Sequence, residues 1–233
     1  LTFYGQPVEP WSLLHATANA GDNIIYVQGD LRNKGWVADA YILVSSTGYG
    51  TEKNCRMDRK DKCQTEKFQI QSVSIEPSGN VMKITLKSNL LYKHLGESVT
   101  IPGALNGETV ERRATVGLLD RNINVKGTEV DAFGAHTMML SGQMVLDYVE
   151  FGPFVGQAFQ LGRYAVHFHT PNEPIFKNGL KESDDPRMQG SHQQLSRVRG
   201  CAIHGSFNRA VAVHGCHFLP VERNVAYNIM GHA

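Results

Sequence analysis

The chain has 233 residues, with 23 Lys+Arg set against 22 Asp+Glu for a formal net charge of +1, and only 19% of its residues are charged. The near-zero charge and the lack of a basic stripe argue against a dedicated nucleic-acid binder. Apolar residues spread along its whole length argue against disorder, and no run approaches the roughly 20 apolar residues that span a bilayer. A chain of this size holds one large all-β domain or two small ones.

In chain order, Leu1-Thr2-Phe3-Tyr4-Gly5 reads as the middle of a strand, and Asn228 to Ala233 stop within an apolar-alternating run. Both ends therefore read as cuts in a longer protein. Trp11 to Ala20 is a weak helix candidate, ended by Gly21-Asp22. Period-two alternation then predicts strands at Ile24-Ile25-Tyr26-Val27, Ala40-Tyr41-Ile42-Leu43-Val44, Phe68 to Ile75 and Val81 to Leu86. Pro77-Ser78-Gly79-Asn80 between the last two is a hairpin signal. Residues 1–115 are expected to form a small antiparallel β unit.

Cys55 and Cys63 bracket a polar stretch in which Met57 is the one apolar residue. A disulfide closing that loop is expected and would imply an oxidising compartment; two unrelated loop thiols are the alternative. Cys201 and Cys216 lie in apolar, strand-like surroundings and read as core or strand residues.

Residues 116–233 repeat. Arg121-Asn122-Ile123-Asn124-Val125, Asp147-Tyr148-Val149-Glu150-Phe151, Arg199-Gly200-Cys201-Ala202-Ile203 and Arg223-Asn224-Val225-Ala226-Tyr227 superpose as a polar or glycine position followed by alternating apolar residues. A second strand recurs at Ala165-Val166-His167-Phe168-His169 and Ala210-Val211-Ala212-Val213-His214. Once the polar stretch Asn172 to Gln194 is set aside, the period is about that of one turn of a parallel β-helix, whose coils stack ~4.8 Å apart. A repeating antiparallel meander is the rival. It would not return the same strand phase in every coil. The β-helix predicts Val166 and Phe168 over Val211 and Val213, with Ile203 near Tyr227.

Eight of the ten histidines lie between positions 136 and 232. His167 and His169 alternate with Val166 and Phe168, so if the latter face the core both imidazoles face outward. The register then sets His214 over His169 and the small Ala212 over His167. Three roles are open to this patch. Imidazoles with Arg163 or Arg209 can bind the carboxylates and hydroxyls of a glycan, or act on it. His167, His169 and His214 can hold a divalent metal ion, with His204 as another third ligand. The rings can instead be partners in ladders that keep the coils in register. Asp147, Glu150 and Glu222 make no convincing pair for a two-carboxylate hydrolase; a His and Arg face suits elimination chemistry or binding better.

Gly162-Arg163-Tyr164-Ala165-Val166-His167-Phe168-His169 is similar to the GRYPxHFH segment of the fibrocystin-like and cell-migration-inducing, hyaluronan-binding proteins. Val198-Arg199-Gly200-Cys201-Ala202-Ile203-His204, Phe207 to Gly215 and Val221 to Tyr227 continue the match. The resemblance covers most of the chain and departs at Ala165, where proline is usual, and at Asn172 to Gln194, where the connection is usually shorter. It implies a right-handed, pectin lyase-like parallel β-helix preceded by the small β unit, in a piece that follows a G8 module. It also implies a secreted or cell-surface protein. The expected function is that of an extracellular glycan-engaging module, part of a protein that binds or depolymerises hyaluronan or a similar polysaccharide. A non-catalytic structural or adhesive module of a large surface protein is the alternative. The candidate ligand-binding residues are His167, His169, His204, Arg209 and His214, and the candidate catalytic ones His167, His169, His214 and Arg163.

Overall fold

The computed structural model describes residues 1–48, 64–77, 79–100, 103, 107–169, 196–216 and 219–232. Among these every regular element is a strand. They form two compact units, Val8–Asp120 and a second made of Leu1–Pro7 with Arg121–Ala233. The division falls a few residues beyond the expected 115/116 boundary, and the first seven residues leave the N-terminal unit altogether. They do so because β1 (Thr2–Tyr4) finds its edge on a strand of the second unit, not of the first.

Within Val8–Asp120, β2 (Trp11–Leu13), β3 (Ile24–Gln28), β4 (Tyr41–Val44), β5 (Glu66–Ile75) and β6 (Val81–Leu86) precede a small β7 (Val99–Thr100) and β8 (Thr109–Val110) pair and β9 (Thr115–Leu118). The weak helix candidate at Trp11 is strand β2, since its edge pairs with β9. The antiparallel order is β2-β9-β4-β5-β6-β3. An isolated bridge between Leu14 and Val27 ties the two ends of that order together. Closing a sheet on itself hides its edges. Trp36, Ile42, Ile70 and Ile84 fill the interior, and the Trp36 indole donates to the Glu9 carbonyl at 2.7 Å. His94 is buried in the same unit with both ring nitrogens engaged, one 2.8 Å from Glu66 and the other 2.9 Å from the Ser45 carbonyl. The β5–β6 pairing bears out the hairpin. The Cys55/Cys63 pairing and the Asn172 to Gln194 connection both lie outside the described residues.

The second unit continues with β10 (Ile123–Val125), β11 (Thr137–Met139), β12 (Val145–Asp147), β13 (Val149–Phe151), β14 (Val166–His169), β15 (Arg197–Arg199), β16 (Ala202–Ser206), β17 (Val211–His214), β18 (Val221–Glu222) and β19 (Val225–Ile229). Three parallel sheets result, ordered β1-β12-β15-β18, β10-β13-β16-β19 and β11-β14-β17. The chain visits the first, second and third sheet in turn and then returns to the first, which is the stacking of a parallel β-helix. Val8–Asp120 is spliced into the earliest coil, between β1 of the first sheet and β10 of the second. Leu146, Phe151, Phe168, Val198 and Ile203 are among the residues that fill the interior.

The repeat in the sequence follows from one recurring corner. Tyr148, Gly200 and Arg223 each adopt positive φ between the first and second sheets, a conformation a single residue can use to turn the chain sharply. Gly200 has a second constraint, because a Cβ there would lie 2.5 Å from the Tyr148 ring. The first two intervals of the repeat hold in the structure: Ile123 pairs with Val149, and Phe151 with Ile203. The last coil slips by one. Ala202 pairs with Val225, and Ile203 stands over Ala226 instead of Tyr227. The slip arises because the corner residue of that coil is Arg223, whereas the alignment of blocks had put Asn224 there. Asn224 instead turns its side chain back to accept from the Cys201 N–H at 2.8 Å and donate to the Val198 carbonyl at 3.0 Å.

Candidate functional site

The third sheet carries the histidines. β14 and β17 pair with Val166 on Val211, His167 on Ala212, Phe168 on Val213 and His169 on His214, the register the alternation predicts. On the other side of β14, Met138 pairs with His167 and Met139 with Phe168. Val166 and Phe168 are fully buried, so His167 and His169 point to the opposite side of the strand. There they line a cleft of about 800 Å³ together with Met138, Leu161, Gly162, Tyr164, Arg209, Ala212 and His214.

The patch is less open than alternation suggests. His167 is only 4% exposed, His169 is half-buried and His214 is exposed. The covering group is the turn before β14: the Tyr164 ring packs edge-on against the His167 imidazole at 4.8 Å. Gly162, at φ +82°, aims its carbonyl at the same ring, 2.9 Å from Nδ1. A carbonyl only accepts, so Nδ1 carries the proton and Nε2 of the neutral ring keeps its lone pair. Burial holds the His167 imidazole below its ordinary pKa, against the pull of the Gly162 carbonyl. The neighbouring His169, His214 and Arg209 push it in the same direction as burial.

The three rings form a row. The centroids of His167 and His169 are 5.2 Å apart and those of His169 and His214 4.9 Å apart. The Nδ1 atoms of His169 and His214 approach to 3.0 Å. One nitrogen from each of the three histidines lies within 4.8 Å of the others. Arg209 completes the cleft with its guanidinium carbon 5.1 Å from the Tyr164 ring centroid, a cation held over an aromatic face.

Other candidates lie elsewhere. Arg163 is not in the cleft lining. Its guanidinium reaches Nε2 of His136 at 3.0 Å. Burial, and next the Arg163 charge, depress the pKa of that imidazole. His204 is on the second sheet, 6% exposed, with Nε2 2.9 Å from Glu150 Oε1. It is a partner in a buried pair and does not join the cleft. Glu150 also accepts from the Arg121 backbone N–H at 3.2 Å. Asp147 takes a forked contact from Arg197, at 2.9 Å from Nε and 2.6 Å from Nη2, and a longer one from Arg199 at 3.3 Å. Both carboxylates are thus committed to holding coils together. Tyr164 and the Gly162 carbonyl were not singled out from the sequence. Both lie within the quoted motif, but which neighbour covers a strand histidine depends on how the preceding turn folds back.

A stacked β-helix segment with a histidine row beside a cation-capped aromatic defines a class: coiled β modules that present one side-chain face along a flank. Residues 132–233 match the family described as CEMIP beta-helix. Human fibrocystin-L is 32% identical across the whole chain, which spans 6% of that protein. The human cell surface hyaluronidase CEMIP2 is 27% identical over 84% of the chain and 13% of its own length. The mouse cell migration-inducing and hyaluronan-binding protein is 27% identical over 98% of the chain and 15% of its own length. A solved structure, the tailspike protein gp49 of Pseudomonas phage LKA1, is similar with a TM-score of 0.33 and 13% identity over 96% of this chain and 34% of its own, too loose a likeness to carry a functional parallel. Residues 132–233 thus match the CEMIP beta-helix family, and the chain as a whole is similar to fibrocystin-L and to the cell migration-inducing and hyaluronan-binding protein, of which it spans a small fraction of the length.

Proposed function

We propose that this chain is an extracellular, right-handed β-helix module that engages an acidic glycan along the flank of its third sheet, with a uronate polymer of the hyaluronan type as the ligand. The observation that carries the reading is the cleft in which Arg209, backed by the Tyr164 ring, stands beside the His167, His169 and His214 row. A guanidinium matches a uronate carboxylate by paired N–H donors, and its stacking on an aromatic holds it ready. Met138, Leu161, Val211 and Val213 give the same cleft the apolar surface on which a sugar ring packs. The names of the relatives, one a hyaluronidase and one a hyaluronan-binding protein, support the choice of polymer.

The test is calorimetric titration of the chain with size-defined hyaluronan oligosaccharides, alongside neutral chitin oligosaccharides of equal length. Hyaluronan should bind and chitin should not, and Arg209→Gln should weaken binding at least about tenfold, the scale of one charge-assisted pair. Size-exclusion chromatography of the same mixtures tells a module that only holds the polymer from one that also shortens it. Equal binding by the Arg209→Gln chain, or no binding of any acidic glycan, would leave the adhesive-module reading in its place.

A further inference from the structure

We infer that the histidine row is a divalent transition-metal site, with His167 Nε2, His169 and His214 as its three protein ligands. The inference stands on ring geometry and not on the glycan reading.

Parallel pairing sets His169 directly on His214, and alternation sets His167 two residues before His169 on the same side. Two neighbouring coils therefore deliver three imidazoles to one spot without help from a loop. The spacing suits a shared cation. Two nitrogens bound to one zinc ion at 2.0–2.1 Å are about 3.0–3.4 Å apart for the usual bond angles, and the Nδ1 atoms of His169 and His214 are 3.0 Å apart. Without a cation, two Nδ1 atoms at that distance satisfy each other only if one ring carries its proton on Nδ1 and the other accepts with its lone pair, whereas a shared cation is met by the lone pairs of both. The third ring needs only a modest side-chain adjustment, since a nitrogen of each histidine already lies within 4.8 Å of the other two.

His167 carries a further mark. Metal-binding histidines usually donate their second ring N–H to a carbonyl or carboxylate, which fixes the tautomer and raises the basicity of the ligating nitrogen. The Gly162 carbonyl does this at 2.9 Å from Nδ1, held there by a left-handed glycine that other residues adopt with strain. The Tyr164 edge contact holds the ring plane. A ring that served only as filler on the strand would not need its tautomer set by a dedicated turn.

The donor set selects the ion. Imidazoles without carboxylates or carbonyls suit zinc and its first-row neighbours, and are poor hosts for calcium and magnesium, which demand oxygen. Three protein ligands leave one position of a tetrahedral set for water or a ligand oxygen. Ala212, opposite His167 in the pairing, keeps that side of the row free of bulk.

The experiment uses the metal alone. The intact chain is stripped with chelator, dialysed against Zn2+ or Ca2+ and assayed for bound metal, then loaded with Co2+ for absorption spectroscopy. We expect one Zn2+ per chain, no stoichiometric Ca2+, and visible Co2+ bands of a four- or five-coordinate nitrogen site. His214 is exposed, so His214→Ala should fold as the parent does while losing at least 100-fold in Zn2+ affinity. His169→Ala should behave alike, and thermal unfolding of both metal-free variants checks that they are folded. Zn2+ bound equally by the parent and the two variants, or no stoichiometric Zn2+ at all, overturns the site. Because no glycan enters the measurement, either failure leaves the glycan reading standing, and a failed glycan titration leaves the metal site standing.

Discussion

Cys201 offers a sharp test of whether the second unit is packed as described. It lies fully buried at the start of the second sheet, with Sγ 3.4 Å from the Leu146 carbonyl, and burial pushes its thiol up to about 11 from an ordinary 9.0. At pH 8 the unfolded chain would hold about a tenth of this thiol as thiolate and the folded chain about a thousandth. Ionisation alone therefore slows alkylation by about 100-fold, before any limit on access. Iodoacetamide labelling at pH 8, followed by peptide mass spectrometry with and without urea, measures the ratio. Cys216, half-buried in the same unit, is the internal control. The same shift makes a stability prediction. A raised pKa means that the folded state keeps the proton longer, so stability is full below pH 9 and falls as pH rises from 9 to 11. The loss approaches about 2–3 kcal/mol. Urea unfolding by circular dichroism at pH 8 and 10.5 should show a steeper decline for the parent than for Cys201→Ala, in which all other alkaline titrations are unchanged. Labelling of Cys201 in the folded chain within about fivefold of its unfolded rate would refute the packing argued for the second unit.

Three more substitutions probe separate features. Phe168→Ala removes the fully buried ring beneath the histidine row and should cost about 3–5 kcal/mol in urea unfolding, the range for emptying an aromatic core position. Asp147→Ala takes the forked carboxylate from the largely buried Arg197 guanidinium and should cost about 3 kcal/mol, with little change on adding 0.5 M salt, because a buried pair is poorly screened. His94→Ala leaves Glu66 without its imidazole partner inside Val8–Asp120 and should destabilise that unit by a similar amount, read by the fluorescence of the buried Trp36, while the chain's Zn2+ stoichiometry stays the same.

The strand phase of the β-helix was legible because alternation and stacking obey the same period. Val166, Phe168 and His169 occupy the register positions that pattern alone assigns. The corner was legible only as a polar or glycine position. Its use of positive φ at Tyr148 and Arg223 is invisible in residue type, and that is why the last block is misaligned by one. The membership of β1 was hidden for a different reason: Thr2-Phe3-Tyr4 looks like any strand, and its partner Val145-Leu146-Asp147 is far away along the chain. At the site, residue types named the histidines and Arg209, but sequence cannot tell a histidine turned to a cleft from one held by a carboxylate. His204 is buried on the second sheet with Glu150 beside it, whereas His169 faces the cleft beside His214. Arg163 differs from Arg209 in having His136 within reach.

The splice of Val8–Asp120 into a coil bears on how such a protein can fold and be rebuilt. Pairing β1 with β12 closes a loop of well over 100 residues, which for a featureless chain costs roughly 4 kcal/mol of entropy. The inserted unit lowers that cost by about 1 kcal/mol once it has formed, because its own ends are neighbours: Trp11 pairs with Gly117, and the Leu118 N–H donates to the Pro10 carbonyl at 2.8 Å. The gap it leaves in the coil is equally small, spanned by the 2.6 Å hydrogen bond from the Gln6 N–H to Asn122 Oδ1. The insert thus acts as a clamp with adjacent legs. A turn of a few residues could replace it without opening the coil.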